Sequence, residues 1–481
     1  MQEAKKPRKV KEQYLQNKGL KLKMKIPVIL SLKHHLNISS QATQKFSYGV
    51  GHILNDLCAN CWFSYVLIYM TKVAGLSESN AGLILLVGQL ADALFTLVIG
   101  YSSDQTKISW YGKRKFWHGI GTCCVLLSFP FVFNLCYACN EMSEVFKLCY
   151  YSFFAIIFQF GWAATQISHL ALIPEITSKE GQRVELNSIR SGFTFLSGIF
   201  VYGVIWLLLG KTSTGQIDQT VSKQFMTLTV VILVVGSTFS LIFHVGTTEP
   251  RCNDYTVNQN KQTKETIQHG RTWNMWLRDG RLYKTGVIYL CARLSINVSQ
   301  SFSPMYLTDS LHLDKTSIAY FPLIVLMSGA GTCLLLNRLT RRIGMQLSYM
   351  FGSSMIICAS LWLFSISAHN KEQVFGATWL IGSGGSIILV TSLAKTAELI
   401  DTDKISSGFV YSAMSFTDKL STGVVIYIIQ SLKPNATPGR ACCEVFLSIV
   451  QTCVPGASAL VGFISIIVLF PSEFQWINSG Q

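Results

Sequence analysis

Charge is scarce in this sequence. Of its 481 residues only 14% are Asp, Glu, Lys or Arg while 49% are hydrophobic, a balance unsuited to the three or so soluble domains that such a length would otherwise suggest. Acid is scarcer than base, with 25 Asp and Glu against 40 Lys and Arg and a formal net charge of +15. Catalytic signatures are missing too: no HExxH, GxSxG, Walker or paired glycosidase-like constellation occurs, so neither a soluble nor an intramembrane enzyme is expected. No cleavable signal peptide is visible, because the longest apolar run among the first 45 residues, Ile26 to Leu32, is interrupted by Pro27 and Ser31. The first span is therefore expected to act as the insertion signal. The fourteen cysteines do not make a disulfide scaffold or a zinc frame, and Cys58, Cys61, Cys123, Cys124, Cys149, Cys291, Cys333 and Cys358 lie in or beside apolar runs as small hydrophobes.

Long apolar runs fill the rest. Gly82 to Gly100, Phe153 to Leu172, Phe225 to Val245 and Gly456 to Phe470 approach the ~20 residues that cross a ~30 Å hydrocarbon core. Twelve spans are predicted, near 46–71, 80–101, 116–135, 149–172, 187–209, 225–245, 284–308, 318–336, 347–367, 374–395, 407–430 and 454–471. Backbone polar groups in lipid must be satisfied within each segment, so the spans are helices, with Pro130, Pro304 and Pro322 as candidate kinks. With both termini cytoplasmic, the segments on that side hold 30 Lys and Arg against 8 on the other, and Arg293 and Lys419 lie inside spans. That bias predicts the topology.

The fold class expected is an all-α membrane protein of two six-helix halves. A basic arm occupies 1–45, the halves 46–245 and 284–471, a polar cytoplasmic loop 246–283, and a short tail 472–481. In the arm, Leu20 to Leu36 reads either as a surface segment suited to an anionic leaflet through Lys21, Lys23, Lys25 and Lys33, or as plain disorder. A weak repeat supports the two halves. Gly100-Tyr-Ser-Ser-Asp104 followed by Gly112-Lys-Arg-Lys115 is matched by Asn337-Arg338-Leu-Thr-Arg341-Arg342-Ile-Gly344, about half the chain further on.

The Asp after the second span, with a glycine and a basic cluster following, resembles the best-known cytoplasmic motif of the major facilitator superfamily. Tyr48-Gly-Val-Gly51 with Asp56, then Asp92, Gly100 to Lys115 and Leu172-Ile-Pro-Glu175, resemble its glycoside, pentoside and hexuronide cation symporter branch. Within that branch, Phe158-Gln-Phe-Gly-Trp-Ala-Ala-Thr-Gln-Ile-Ser-His-Leu170 and Asn297-Val-Ser-Gln300 resemble a lysosomal and melanosomal group that brings cysteine into the organelle. The likeness extends over most of 46–471 and omits the basic arm.

Charge inside a span costs about 2.5–3.5 kcal/mol on insertion scales, so each instance marks a paired or water-lined setting. Asp56, Asn60 and Ser64 share one helix face. The resemblance makes Asp56 a substrate-binding acid; a structural helix pairing is the other reading. Asp92 matches the first of two acids of the branch's cation site, but the second position is Thr96. A lone carboxylate and a hydroxyl make a poor Na⁺ cage and a better proton carrier, so a proton or Na⁺ is the expected coupling ion and no resident cofactor or metal is expected. Lys419 matches a lysine that faces this site, so an Asp92–Lys419 pair, switching or static, is expected.

The branch's sugar-binding acid of the fourth span aligns with Gln166 and its sugar-stacking aromatic with Leu170, which argues against a sugar. Arg190 matches a binding-site arginine, and Gln166 and His169 lie on the facing helix. A guanidinium suits a carboxylate and Asp56 an ammonium, so together they fit an amino-acid zwitterion. His169 alone reads more often as a satisfied polar core residue than as a contact for substrate or proton. Arg293, with Asn297 and Gln300, is expected to line the cytoplasmic pathway or to pair with Asp104 across the halves. Asp104, Lys113, Arg114, Arg338 and Arg341 complete a cytoplasmic charge network implied by the resemblance; for the lysines a plain positive-inside anchor is the alternative.

Cys136, Cys139, Cys442, Cys443 and Cys453 are expected in lumenal loops, as structural disulfides or as a redox CxxC at Cys136-Tyr-Ala-Cys139. Asn435-Ala-Thr437 is a glycosylation acceptor on that side, with Pro438 against it; Asn37-Ile-Ser39 falls on the cytoplasmic side. The expected partners are the lipid bilayer and a small polar solute, cysteine by resemblance, with no nucleic acid and a monomeric state. Symport of a sugar or lysolipid, and a non-transporting scaffold or sensor working through the arm and central loop, remain the alternatives. No acidic dileucine or tyrosine sorting signal stands out, so lysosomal placement rests on the resemblance.

Overall fold

A computed structural model describes residues 41–471 apart from 107–110, 137–142, 178–179, 212–215, 250–272, 367–369, 401–406 and 435–440. Its spans are helices Ile53–Ile68 with the preceding Gln41–Val50, Glu78–Gln105, Lys113–Val132, Glu144–Ile176, Glu180–Gly210, Ser222–Gly246, Gly280–Met305, Ser317–Ile343, Met345–Phe364, Val374–Ile400, Ser407–Leu432 and Ala441–Leu469. They are numbered here first to twelfth. An even number of spans returns the chain to the side it started from; that side, which also bears the central loop, is called the terminal face below.

Nine helices among the described residues are long and apolar enough to cross a membrane by composition alone. The three that fall outside that set are the first, seventh and eleventh. The first falls short because the chain breaks near Gly51 and its helix runs only 16 residues, Ile53–Ile68; the seventh and eleventh carry Arg293 with Asn297, and Asp418 with Lys419. Polarity that weakens a helix as a lipid span is tolerated where protein surrounds it.

Prolines lie inside helices at Pro130, Pro304 and Pro322, and also at Pro174 and Pro455, which the span boundaries had left at or outside helix ends or unremarked. The twelfth span begins at Ala441, well before the expected start near 454, so Cys453 sits within it. Apolar spacing alone cannot see this start, because Cys442, Cys443 and Glu444 look like a loop.

Each half packs its third and fourth helices backbone to backbone. Gly121 lies against the Gly161 carbonyl in one half, and Gly352 against that of Gly384 in the other, where any side chain would force the helices apart. The largest apolar cluster joins the halves on the side away from the termini, where Leu67, Tyr69 and Ile205 meet Phe302, Met305, Ile318 and Ile429. Towards the terminal face the clusters separate by half: Tyr48, Leu172, Leu186 and Phe243 in one, and Trp276, Leu282, Val410 and Met414 in the other. Trp276 belongs to a short helix, Trp273–Arg278, through which the end of the central loop docks on the C-terminal half.

Repeat symmetry is visible at the ends of the first and seventh spans. Each finishes in a π turn, Tyr69–Val73 and Tyr306–Ser310. Thr71 Oγ1 donates to Leu67 O at 3.0 Å and Thr308 Oγ1 to Pro304 O at 3.0 Å, so the two turns share one geometry. The charged residues at matching positions, Lys72 and Asp309, pair with each other at 2.6 Å. A second bond across the same face joins Lys433 to Glu78 at 2.6 Å, with Gln430 Nε2 donating to Glu78 at 3.2 Å. Tyr65 Oη adds a bond to Ile318 O at 3.2 Å. No ion pair among the described residues joins the halves at the terminal face. The structure is therefore latched on the far face.

Both members of the Lys72–Asp309 pair keep about a quarter to a third of their side-chain surface, at 35% and 24%, so the latch is worth only about 1 kcal/mol, a fivefold shift between conformations. Charge reversal tests it. Lys72→Asp should raise labelling by a membrane-impermeant maleimide of an Ile318→Cys reporter, which is fully buried between the halves at this face, and adding Asp309→Lys should restore the protected state. Equal labelling of both would leave the pair without a role.

Candidate functional site

The first span holds the first cluster. Its helix breaks after Val50, where Gly51 N–H bonds back to Tyr48 O at 3.0 Å, and resumes at Ile53. Only glycine fits at the break, since any Cβ on Gly51 would run into the ring of Phe243. The restart places His52 one turn before Asp56. His52 Nδ1 lies 2.9 Å from Asp56 Oδ1, and Thr194 Oγ1 donates to Asp56 Oδ2 at 2.9 Å. On the other edge of the imidazole, Arg190 Nη2 stands 3.3 Å from His52 Nε2. Asp56 and Arg190 thus face one another across a single imidazole, and Arg190 Nε is buried without a hydrogen-bond partner. Asn60 turns back to cap Asp56 O at 2.7 Å.

Gln166 accepts from Trp162 Nε1 at 2.9 Å on its own helix. His169 lies deeper than a cargo contact would require: it is fully buried, stacked on Tyr48 with ring centroids 4.3 Å apart, and its Nε2 is 2.8 Å from Tyr48 O. The expectation that His169 helps line the solute site is therefore replaced by a packed position behind it. His52 and Thr194 were not singled out in the sequence; the signal for His52 was its i, i+4 relation to Asp56.

The second cluster crosses the halves. Lys419 Nζ lies 2.7 Å from Asp92 Oδ2 and donates to Thr96 Oγ1 at 3.1 Å, and Thr96 Oγ1 donates to Asp92 Oδ1 at 3.3 Å. Its neighbour Asp418 faces the other way, into the C-terminal half. Arg293 Nε donates to Asp418 Oδ2 at 2.7 Å and Asn297 Nδ2 to Asp418 Oδ1 at 2.9 Å. Arg293 is thus held within its own half, and the expected pairing with Asp104 does not form: twelve residues of helix separate Arg293 from the Gly280 end of the seventh span. Gln300 Nε2 reaches Ser64 Oγ at 3.1 Å, and Ser64 reaches Tyr202 Oη at 3.1 Å, carrying polar contact across the midplane.

The terminal-face charges of the N-terminal half form a closed network. Arg114 bonds Asp104, Ser103 and, at 3.0 Å, Glu175; Lys113 reaches Glu175 at 3.3 Å. Glu249, which sequence reasoning missed, accepts from the backbone N–H of Arg114 and Lys115 at 3.1 Å, seating a carboxylate on the N-terminus of the third span. Burial pushes the Glu249 carboxyl up, against the lowering effect of those two N–H groups. Arg338 and Arg341 are exposed at the same face of the other half and show no ion pair among the described residues.

Of the cysteines expected in disulfides, Cys136 is disulfide-bonded. Cys453 is a free, exposed thiol inside the twelfth span, which corrects its assignment to a lumenal loop. Cys139 and Asn435 lie outside the described residues, as do the side chains of Cys442 and Cys443. No group of His, Cys, Asp and Glu among the described residues is arranged to hold a metal ion.

A family model described as MFS/sugar transport protein matches residues 47–471. The chain belongs to that family of the major facilitator superfamily. It is a secondary membrane transporter and not an enzyme. Among its relatives is the Major facilitator superfamily domain-containing protein 12 of Mus musculus, 41% identical over 430 residues that make up 86% of this chain and 90% of the relative. The Homo sapiens protein of that name is 40% identical over 436 residues, 87% and 90% of the two chains. A glucuronide carrier protein homolog of Escherichia coli is 20% identical over 384 residues, 78% and 80% of the two chains. Among solved structures, a D-xylose-proton symporter superposes with a TM-score of 0.67 at 14% identity, over 88% of this chain and 97% of that one. This transporter therefore has two six-helix bundles with its embedded charges between and within them.

Proposed function

We propose that the protein moves cysteine, or a similar small amino acid, across the membrane of a lysosome or related organelle by alternating access, with the terminal face towards the cytoplasm. The observation that carries this reading is the opposition of Asp56 and Arg190 across His52, with an unbonded guanidinium nitrogen beside it. An α-ammonium suits the carboxylate and an α-carboxylate suits the guanidinium. Replacement of the family's sugar-contacting acid by Gln166, itself bonded to Trp162, supports a cargo other than a sugar.

Coupling to a proton follows from the second cluster. An ammonium already occupies Asp92 at 2.7 Å, so a cation must displace Lys419 to bind, whereas a proton needs only to neutralise the carboxylate and free the lysine. Asp92–Lys419 and the far-face latch then hold one conformation, and breaking the first pair loosens the contact between halves.

Uptake of labelled cysteine into vesicles tests the reading. Arg190→Ala and Asp56→Asn should each raise the apparent KM roughly thirtyfold or more, the equivalent of losing about 2 kcal/mol from a buried charge contact. Excess unlabelled sugar should leave uptake unchanged. Undiminished uptake in both variants, or inhibition by a sugar and not by cysteine, would remove the zwitterion site.

A further inference from the structure

Behind the Asp56 site lies a row of histidines of which the cargo reading uses only His52. It begins at the terminal face with Tyr111, in the connection between the second and third spans, whose Oη is 2.7 Å from His244 Nδ1 on the sixth span. His244 Nε2 is 3.1 Å from His118 Nδ1 on the third span, and His118 Nε2 is 3.0 Å from Gly51 O at the break in the first. His169 follows at a ring-centroid separation of 6.1 Å from His118, and His52 at 5.4 Å from His169. His52 touches Asp56. His118 and His169 are fully buried and His52 nearly so.

Hydrogen-bond logic fixes the hydrogens. A carbonyl only accepts, so His118 Nε2 carries the hydrogen towards Gly51. Neutral His118 then accepts at Nδ1 from His244 Nε2–H, and His244 accepts at Nδ1 from the Tyr111 hydroxyl. All three bonds point the same way, inward from the terminal face. The same rule makes His169 Nε2 a donor to Tyr48 O, leaving its Nδ1 as an acceptor, and that atom is buried with no partner. A bare acceptor inside a membrane protein costs about 1–3 kcal/mol unless something visits it. Packing alone gives no reason for it.

We propose that Tyr111, His244, His118, His169 and His52 form a proton path between the terminal face and Asp56. A hydronium at the terminal face gives its proton to Tyr111 Oη, whose own proton passes to His244 Nδ1. His244 then releases its Nε2 proton to His118 Nδ1. The His118 ring turns from Gly51 and hands its Nε2 proton to His169 Nδ1. The His169 ring turns from Tyr48 O and passes its Nε2 proton to His52 Nε2 as Arg190 withdraws from that nitrogen, and His52 passes its Nδ1 proton to Asp56. Each step breaks one N–H or O–H bond and makes another, and the sum is one proton moved from water to the carboxylate. Ring turns that exchange the two nitrogens restore the start.

The charged groups along the path favour passage over storage. Lys115 Nζ sits 4.8 Å from the Tyr111 ring centroid and bonds His244 O at 2.9 Å, and Arg190 lies against His52. Cations thus stand at both ends, and the carboxylate of Asp56 is the acceptor. This path goes beyond the Asp92–Lys419 switch and needs no cargo to operate.

The test uses the full-length protein in liposomes on a solid-supported membrane, with a pH jump and no solute present. Wild type should give a transient proton current, and His118→Gln or His244→Gln, which keep hydrogen bonding but cannot carry a proton, should slow it about 100-fold. Tyr111→Phe removes only the hydroxyl at the mouth and should slow it in the same direction. Melting curves establish that the variants fold; should the glutamine variants fail to, Tyr111→Phe decides. Wild-type currents in the folded variants, or a current abolished by Asp92→Asn and untouched by them, would overturn the path. A normal pH-jump current with no cysteine uptake would instead sink the cargo reading and leave the path standing.

Discussion

Asp92→Asn is expected to lower the stability of the purified protein and to remove the dependence of uptake on a pH gradient. Asp92 is 3% exposed and its partner Lys419 reaches it from the opposite half at 2.7 Å. Removing one member of a buried pair strands the other and costs about 3–5 kcal/mol; the lysine side chain retains 15% of its exposure, which places this case near the lower figure. The sign is checked by the double variant. Asp92→Asn with Lys419→Met removes both charges, and a pair exchanged for neutral groups of similar size is often stability-neutral. Thermal melting should therefore recover in the double variant while gradient dependence stays lost. A single variant that melts like wild type and still responds to the gradient would show that the pair neither holds the halves nor couples them.

Arg293→Ala should damage the protein in a different way. Asp418 is 3% exposed, and besides Arg293 its partners are the neutral Asn297 and Thr422. The loss is again about 3–5 kcal/mol, enough to deplete the folded protein. Because this pair lies within one half, the damage falls on folding of the C-terminal bundle and leaves the balance between conformations alone. Arg293→Lys, which keeps the charge and gives up the fork, should recover most of the yield. Full recovery of melting temperature by Asp418→Asn in the alanine background would show that the stranded carboxylate was the cause. Unchanged melting in Arg293→Ala alone would mean that water reaches Asp418 freely.

Spans and halves were legible because lipid imposes one rule on every segment, and the rule is one-dimensional: enough apolar residues in a row. Intramembrane charges were legible for the same reason, since Asp56, Asp92, Arg293 and Lys419 interrupt such rows. Their pairings were less so. Asp92 with Lys419 came from resemblance, whereas Arg293, expected to line the cytoplasmic pathway or to pair with Asp104, meets Asp418 instead, because its place along the helix does not reveal which neighbour it faces. His52 was passed over although it stands one turn before Asp56, and Thr194 stayed hidden for want of a third dimension, lying 138 positions from Asp56. Glu249 was invisible as a helix cap because it follows the sixth span, 135 positions from Arg114 on the helix it caps. Cys453 was misplaced by a span that starts with cysteines and an acid.

The two π turns carry a historical implication. Tyr69-Met-Thr-Lys72 and Tyr306-Leu-Thr-Asp309 occupy matching places in the two halves and meet at the far face. A strictly duplicated sequence would bring identical side chains together there, lysine on lysine or aspartate on aspartate, and would push its own bundles apart. Attraction at that point became available only after one copy had drifted from the other, so the clasp is younger than the architecture it fastens.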